Sequence, residues 1–371
     1  MKISFIIPSF DVGGTESSFI RMANHINSSD SQFKTELVYW FEGGELRKLI
    51  DPGVIITKLN VSNLFSLMIK LINYYNISKP AVVHTSMYMI GNIALISRIF
   101  SSHKPKIIIG ARSDFDSVCG ISKNFFDKFV LKKLSYFFYK KADEIVAVSE
   151  GVKEGLTKSL KLESSKVKVI YNGIITKKHR DGFSAPPNHH WFGMENICLI
   201  SSIGRLSPEK GIYELVCAFR KALKLNNKLR LMIIGEGKEE TKIINYLYDN
   251  SITEYVDVIG FKDDYYSYLS NSDIFILNSY YEGMPSILVE AVSTNAKIIS
   301  TNCMHGPSEL LQGVAESKLI DINNEDQLVD AINKFSITKK IKREKVEHLK
   351  NFYIEESIKK YTEMFKKITN C

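Results

Sequence analysis

The chain of 371 residues is longer than one hydrophobic core usually supports, so its length predicts two domains. With 44% hydrophobic and 24% charged residues, the composition is that of an ordinary globular protein and excludes a disordered or fibrous chain. The formal net charge of +8 favours an anionic partner of unspecified kind.

The apolar runs of the sequence are short, so we expect no transmembrane helix, which requires about 18 or more apolar residues. The N-terminal stretch through Pro8 is too short for a signal peptide and is predicted to be a first strand. The cysteines are odd in number, scattered and without a C-x-x-C pair, so we expect neither a disulfide framework nor a zinc site, and a reducing cytoplasm. They are Cys119, Cys198, Cys217, Cys303 and Cys371.

The first half of the chain alternates between short apolar runs and amphipathic segments, which predicts an α/β domain with a parallel sheet. Strands are predicted at residues 2–8, 36–41, 54–59, 81–85, 106–109, 145–148 and 167–171, and helices at 15–27, 64–75, 91–100 and 151–160. Ser149 is predicted to cap the last of these helices.

Gly13 and Gly14 lie between the first predicted strand and helix, where glycine lets backbone amides approach an anion. A plain tight turn is the open alternative. The stretch is not the G-x-G-x-x-G fingerprint, which argues against a dehydrogenase.

Residues 176–196 interrupt the alternation with Pro186-Pro187 and His189-His190, and are predicted to be an interdomain linker. With no further ligand nearby, the histidine pair is interpreted as solvent-exposed rather than metal-binding. The predicted domains are residues 1–175 and 197–351, followed by an amphipathic segment, 352–371.

The second domain resumes the alternation. Its predicted strands are residues 197–203, 229–234, 256–259, 274–277 and 297–301, and its helices are 212–225 and 238–250. The fourth strand precedes NSYYEGMPSILVEAVS at 278–293, in which a glycine turn leads to a helix with Pro285 in its first turn. That order aims helix N–H groups at the sheet edge, where phosphate binds, beside the carboxylates of Glu282 and Glu290. Amides for a diphosphate and carboxylates for sugar hydroxyls suit a nucleotide-sugar.

The spacing of the two glutamates resembles the E-x7-E motif of family 4, the retaining glycosyltransferases of the two-domain GT-B fold. Four further stretches occur in that family's order: GGTE at 13–16, NG at 172–173, GRLSPEKG at 204–211 and GPSE at 306–309. The resemblance implies an α/β fold of two Rossmann-like parallel-sheet domains facing across a cleft. It also implies that the C-terminal helix crosses back to the N-terminal domain.

The resemblance implies a role for each matching residue. Gly204 would contact the donor, and Arg205 and Lys210 after it would stabilise the leaving nucleoside diphosphate without a metal. Glu282 would face the donor sugar and Glu290 the ribose, and Gly13 and Gly14 would meet donor phosphate or acceptor. The amides of Gly283, Met284 and Ser286 around Pro285 would support sugar and phosphate, and Glu309 would complete the donor pocket. The alternative for each charged residue is a solvated surface side chain.

One loop departs from the family pattern. Many members carry a histidine after the strand here predicted at 106–109, whereas this chain has Gly110-Ala-Arg-Ser-Asp114. Arg112 is therefore expected to face the reaction centre, with Asp114 close by. His84 is the alternative, although we expect it to be a buried structural histidine.

The segment Ser122–Lys141 interleaves lysines and aromatic residues, and Phe126, Phe129, Val130, Leu134 and Phe137 fall on one helical face. One interpretation is a helix facing the core, with solvated lysines. The other is a surface that docks on an anionic membrane. Nucleic acid is not an expected partner, because no recognised binding module occurs.

These observations predict a metal-independent glycosyltransferase without a cofactor, located in the cytoplasm, with peripheral attachment to the plasma membrane left open. It would move a sugar from a nucleotide donor, with UDP favoured over GDP, to a growing lipid-linked glycan. The alternatives are a nucleotide-sugar epimerase of the same fold and a non-catalytic sugar-nucleotide-binding subunit.

Overall fold

The computed structural model describes residues 1–11, 13–29, 32–86, 88–113, 115, 125–181, 185–338, 343 and 346–370, without the side chains of 125–129 and 181. Asp114, Cys119, residues 122–124 and Cys371 lie outside the described residues. The chain divides into two compact units, one of Met1–Ile174 with Asn351–Cys371, the other of Ile175–Lys350.

A parallel sheet forms the centre of the first unit. Its seven strands, counted in the described residues, run in the order β3-β2-β1-β4-β5-β6-β7. They are β1 (Lys2–Ile6), β2 (Lys34–Tyr39), β3 (Ile55–Lys58), β4 (Val82–Thr85), β5 (Lys106–Ala111), β6 (Glu144–Ala147) and β7 (Val167–Val169). The central strands β1, β4 and β5 are buried over almost their whole length because helices cover both faces of such a sheet.

Helices connect these strands. Their bounds are Gly14–Ser29, Leu64–Ser78, Tyr88–Phe100, Phe125–Phe138 and Glu150–Leu160. The predicted cap is confirmed, since the Ser149 Oγ accepts a hydrogen bond of 3.1 Å from the Val152 N–H.

The C-terminal helix, Ile354–Thr369, belongs to the first unit. Its buried side chains recur at helical spacing and join the core of β1 and the first helix: Ile354, Ile358, Tyr361 and Phe365. Burying four such side chains contributes on the order of several kcal/mol. A Cβ on Gly173 would lie 2.8 Å from the Ile354 Cα, so glycine permits the close approach of this helix. The predicted return of the C-terminal helix to the N-terminal domain is confirmed.

The second unit contains another parallel sheet, whose six described strands run β10-β9-β8-β11-β12-β13. They are β8 (Cys198–Ile203), β9 (Leu229–Ile234), β10 (Val256–Gly260), β11 (Ile274–Leu277), β12 (Lys297–Thr301) and β13 (Ser317–Ile320). Helices span Lys177–Asp181, Ile212–Leu223, Glu240–Asp249, Tyr265–Asn271, Ser286–Val292, Pro307–Leu311 and Glu325–Ile337.

The sheet order places a topological switch point between β8 and β11, which are neighbours although far apart in sequence. In open α/β sheets, ligands bind at the carboxyl ends of the strands flanking such a point. The predicted α/β class with two Rossmann-like sheets is confirmed.

The segment predicted as a linker lies in the second unit and contains the helix Lys177–Asp181 and a 3₁₀ turn, His190–Gly193. The expectation that both histidines are exposed is wrong for His189, whose side chain is 10% exposed. Its Nε2 lies 3.0 Å from the Asp257 Oδ2, and its Nδ1 accepts from the Trp191 N–H. The aspartate is distant along the chain, so the local composition did not reveal this contact.

Within the part of the chain that the structure describes, we find no helix with the length and apolar character needed to cross a membrane.

Candidate functional site

Lys210 and Glu282 form an ion pair where the two loops of the switch point meet. The Lys210 Nζ lies 2.6 Å from the Glu282 Oε1, and the Ser279 Oγ donates to the same oxygen at 2.7 Å. Lys210 follows β8 and Glu282 follows β11, so the pair joins two motifs that are separate in sequence. Both side chains keep some exposure, 23% for the lysine and 11% for the glutamate. The fold therefore brings a fixed cation and a carboxylate to the carboxyl edge of the sheet.

Hydrogen bonds hold the two loops together. The Asn278 Nδ2 donates to the Gly211 carbonyl at 2.8 Å, and the Tyr280 N–H donates to the Glu209 carbonyl at 2.9 Å. Gly211 has φ +60°, and a Cβ there would stand 2.3 Å from the Asn278 carbonyl oxygen. Glycine is required on both grounds, because other residues rarely adopt this backbone conformation.

Arg205 is exposed on the loop that begins at Gly204. Gly204 donates its N–H to the Ile234 carbonyl at 3.0 Å, and a Cβ on Gly235 would fall 1.9 Å from the Gly204 oxygen. The loops after β8 and β9 are thus packed backbone against backbone. The arginine side chain lies outside this packing and presents its charge on the same loop as Lys210.

The turn before the helix Ser286–Val292 is largely buried at Gly283, Met284 and Pro285, while Ser286 is half-buried. Pro285 is the N-cap with φ −70°, so the prediction that it occupies the first helical turn is wrong by one position. The helix has only 7 residues.

Gly306 packs against this turn. A Cβ on Gly306 would lie 2.7 Å from the Pro285 Cδ, and φ is +93°. The segment that leads to the half-buried Glu309 therefore adjoins the turn that carries Glu282. Nearby, burial and the Glu282 carboxylate raise the pKa of the Cys303 thiol to about 12, so this thiol stays protonated at neutral pH.

Glu290 contacts a different set of residues from the Lys210–Glu282 pair. Its carboxylate is 2% exposed, and its Oε1 accepts from the Tyr265 hydroxyl at 3.0 Å. The His179 Nε2 lies 3.8 Å from the same oxygen. Neither Tyr265 nor His179 was predicted from the sequence, and the histidine was assigned to a linker.

In the first unit, Gly14 begins the helix Gly14–Ser29, and a Cβ there would meet nothing within 4 Å. A Cβ on Gly13 would meet chiefly the end of the Glu16 side chain. Steric exclusion by neighbouring backbone therefore does not explain the glycines, in contrast to Gly211.

The Arg112 guanidinium connects elements within the first unit. Its Nη1 donates to the Ser18 Oγ at 2.8 Å and to the Asn172 Oδ1, and its Cζ lies 4.8 Å from the Phe19 ring centre. Burial lowers the pKa of Arg112. Its Nε and Nη2 are buried and have no hydrogen-bond partner among the described residues. Arg112 thus braces the first helix against the turn at Asn172.

His84 is fully buried, in agreement with the expectation of a structural histidine. Burial, reinforced by the Arg112 charge, lowers its pKa to about 3, so the ring is neutral. Its Nδ1 lies 3.2 Å from the Ile108 carbonyl and therefore carries the proton.

In the described part of the segment Ser122–Lys141, Phe137 is 62% exposed, so the interpretation as a helix facing the core is wrong for this side chain. Lys132, Lys133, Lys140 and Lys141 are exposed, and the Lys140 Nζ lies 4.1 Å from the Tyr136 ring centre. Ser135 is buried and accepts a hydrogen bond of 2.9 Å from Asn92, which anchors the opposite face.

Among the described residues, no group of three or more histidine, cysteine, aspartate or glutamate side chains is placed to hold a metal ion.

Two parallel-sheet units, one with a charged pair at its switch point, define a GT-B fold. The solved structure of HepE from Anabaena in complex with UDP-glucose has the same fold, with a TM-score of 0.75 and 17% identity over 100% of this chain and 97% of that chain.

The family membership follows from two profiles. Glycosyltransferase Family 4 matches residues 12–178, and Glycosyl transferases group 1 matches residues 191–351. The chain belongs to the family 4 glycosyltransferases.

Two curated relatives are informative. An uncharacterized glycosyltransferase of Methanocaldococcus jannaschii is 25% identical over 59% of this chain and 54% of its own length. The N-acetylgalactosamine-N,N'-diacetylbacillosaminyl-diphospho-undecaprenol 4-alpha-N-acetylgalactosaminyltransferase of Campylobacter jejuni is 27% identical over 65% and 62%. The matched region thus spans somewhat over half the length of these relatives.

Proposed function

We propose that the protein transfers a sugar from a nucleotide-sugar, with UDP as the favoured carrier, to a growing lipid-linked bacterial surface glycan. The observation that carries the proposal is the Lys210–Glu282 pair at the switch point, with the exposed Arg205 on the same loop. The name of the Campylobacter relative contains a diphospho-undecaprenol, and the Anabaena structure holds UDP-glucose. Both support this class of donor and acceptor.

The negative charge that develops on the leaving group gives the two cations, Arg205 and Lys210, a role in the reaction. As the glycosidic bond breaks, the nucleoside diphosphate gains negative charge, and the reaction is accelerated by positive charge already oriented toward it. Arg205 and Lys210 supply that charge from one loop, so we propose that transfer requires no divalent metal. Loss of one such contact typically costs roughly 3 kcal/mol of transition-state stabilisation.

Glu282 has two roles in this proposal. In the absence of donor, its Oε1 holds the Lys210 ammonium, which keeps this flexible side chain extended toward the strand edge. With donor bound, the carboxylate accepts hydrogen bonds from sugar hydroxyls while the amides of Gly283, Met284 and Ser286 support the sugar and diphosphate. Glu309 would complete this pocket, and Glu290 would hold the ribose.

We assign acceptor binding to the first unit, where Gly13 and Gly14 lead into the helix Gly14–Ser29. The Arg112 side chain, which donates to Ser18 of this helix, would supply a permanent positive charge beneath the surface, since arginine cannot serve as a base near neutral pH. We propose that transfer retains the anomeric configuration, as the resemblance to family 4 implies, and we assign no residue as a covalent nucleophile.

A thermal-shift screen tests the donor assignment. UDP-sugars should raise the melting temperature of the parent protein more than GDP-sugars at equal concentration, because a ligand that binds only the folded state stabilises it. Lys210→Ala and Glu282→Gln should lose most of this shift. A parent protein that no nucleotide-sugar stabilises would contradict the proposal, and sugar isomerisation without an acceptor would favour the epimerase.

A further inference from the structure

The Glu290 carboxylate is held by groups from two other elements. At 2% exposure it is nearly removed from water, and a carboxylate in that position is costly unless donors surround it. The Tyr265 hydroxyl, at the start of the helix Tyr265–Asn271, supplies one donor at 3.0 Å. His179, in the helix Lys177–Asp181, faces the same oxygen at 3.8 Å.

The hydrogen bonds of His179 define which of its nitrogens faces Glu290 with a proton. The Thr176 N–H donates to the His179 Nδ1 at 3.1 Å, so this nitrogen is an acceptor. In the neutral ring the proton then resides on Nε2, directed to the carboxylate. Thr176 and His179 stand three residues apart at the start of a helix, and this bond corresponds to one of the two hydrogen bonds of a capping box. This contact therefore turns the N–H of the ring toward the Glu290 carboxylate, which lies 3.8 Å from it.

The short helix is itself attached to the helix of Tyr265. The Lys178 Nζ lies 2.7 Å from the Asp264 Oδ1, and the ring centres of His179 and Tyr266 are 4.5 Å apart, edge to face. The Tyr265 donor and the neighbouring His179 ring thus come from two helix starts that are bonded to each other, so together they define one direction for the Glu290 carboxylate.

We propose that Tyr265 and His179 are positioning residues that orient Glu290 toward the ribose of the nucleotide and so select ribose over 2′-deoxyribose. The inference rests on the proposed function, in which Glu290 accepts hydrogen bonds from ribose hydroxyls. A carboxylate has about four acceptor sites, and Tyr265 uses one of them on Oε1. Holding that oxygen restricts the carboxylate to one orientation toward the vicinal diol instead of leaving the side chain to sample several rotamers.

The test compares the binding of UDP and 2′-deoxy-UDP by calorimetry. The parent should prefer UDP by about tenfold, the effect expected for one hydrogen bond to a charged acceptor. In Tyr265→Phe, which removes only the hydroxyl, this preference should fall at least about threefold. His179→Ala should reduce it similarly, and His179→Gln, which retains an N–H donor, should recover part. Tyr268→Phe is the matched control on the same helix and should keep the full preference.

The possible outcomes distinguish a failure of the positioning role of Tyr265 and His179 from a failure of the proposed function. If Glu290→Gln loses the preference for ribose while Tyr265→Phe and both His179 variants keep it, the positioning role is overturned and the proposed function stands. If Glu290→Gln itself keeps the preference, Glu290 does not contact the ribose and the inference falls with that assignment. A parent protein that binds neither UDP nor GDP overturns the proposed function as well. Melting temperatures of each variant establish that the comparison is made on folded protein.

Discussion

Replacing Arg343 with methionine tests how the helix that carries Glu290 is held in place. The arginine fork reaches carbonyl oxygens at and beyond the end of the helix Ser286–Val292. Its Nη1 lies 3.2, 3.3 and 3.0 Å from the oxygens of Ala291, Val292 and Thr294, and its Nη2 lies 2.7 Å from that of Ala296. Burial lowers the pKa of Arg343 to about 10, so it remains charged at neutral pH.

The expected loss follows from these contacts. The last carbonyls of a helix have no donor within the helix, and a cation there also complements the helix dipole. A hydrogen bond to a charged group contributes about 1.5–3 kcal/mol, and methionine retains the aliphatic packing while removing the donors. Because partial exposure lets water replace some bonds, we expect Arg343→Met to lower the free energy of unfolding by about 3 kcal/mol. In a unit of this size, that corresponds to a fall in melting temperature of about 6–12 °C.

Thermal unfolding monitored by circular dichroism measures this effect. Arg343→Lys should fall between parent and methionine variant, because lysine keeps the charge and loses the planar fork. Lys224→Met, at an exposed position, is the control and should melt like the parent. If Arg343→Met melts within about 1 °C of the parent, the fork does not hold this helix, and the strength assumed for its charged hydrogen bonds is wrong here.

Three further predictions concern other parts of the protein. Arg112→Ala should lower the melting temperature by several degrees without changing donor affinity, because it leaves Ser18 and Asn172 without their charged donor; a variant that melts like the parent would contradict the bracing role. Transfer should survive EDTA, since Arg205 and Lys210 supply the positive charge; activity that EDTA abolishes and Mn²⁺ restores would refute this. If the segment Ser122–Lys141 docks on an anionic membrane, substituting serine at four exposed lysines beside Phe137 should release the protein from anionic vesicles by removing charge, and added salt should do so by screening charges beyond about 8–10 Å; unchanged vesicle binding would exclude membrane docking by this segment. The four are Lys132, Lys133, Lys140 and Lys141.

Local patterns in the sequence were sufficient to predict the two sheets and some of the helix caps. The apolar run at β11 predicted a buried strand because parallel strands are covered on both faces, and Ser149 predicted a helix start because its oxygen caps locally. The meeting of Lys210 with Glu282 was implied only by family resemblance, although the switch point between β8 and β11 explains it physically.

Contacts between residues distant in sequence could not be predicted from local sequence patterns. His179 stands in a polar stretch without periodicity, and its relation to Glu290 depends on how a short helix packs in the second unit. The contacts of Arg343 could likewise not be predicted, because the carbonyls that accept its hydrogen bonds lie about fifty positions earlier in the chain. Phe137 follows the helical periodicity of a buried residue and is exposed, because periodicity does not identify which face of a helix has a partner.

The rate of sugar transfer by the parent protein and by Lys210→Ala tests the central claim most directly. Purified protein would be incubated with the UDP-sugar that stabilises it and a lipid-diphosphate-linked glycan acceptor, with Lys224→Ala as the control at an exposed site. The parent and the control should form an acceptor-dependent product at equal rates, and Lys210→Ala should be slower by about 100- to 1,000-fold, the usual effect of removing one charge-stabilising group. A Lys210→Ala variant that transfers sugar at the parental rate would contradict the assignment of Lys210 to the departing diphosphate.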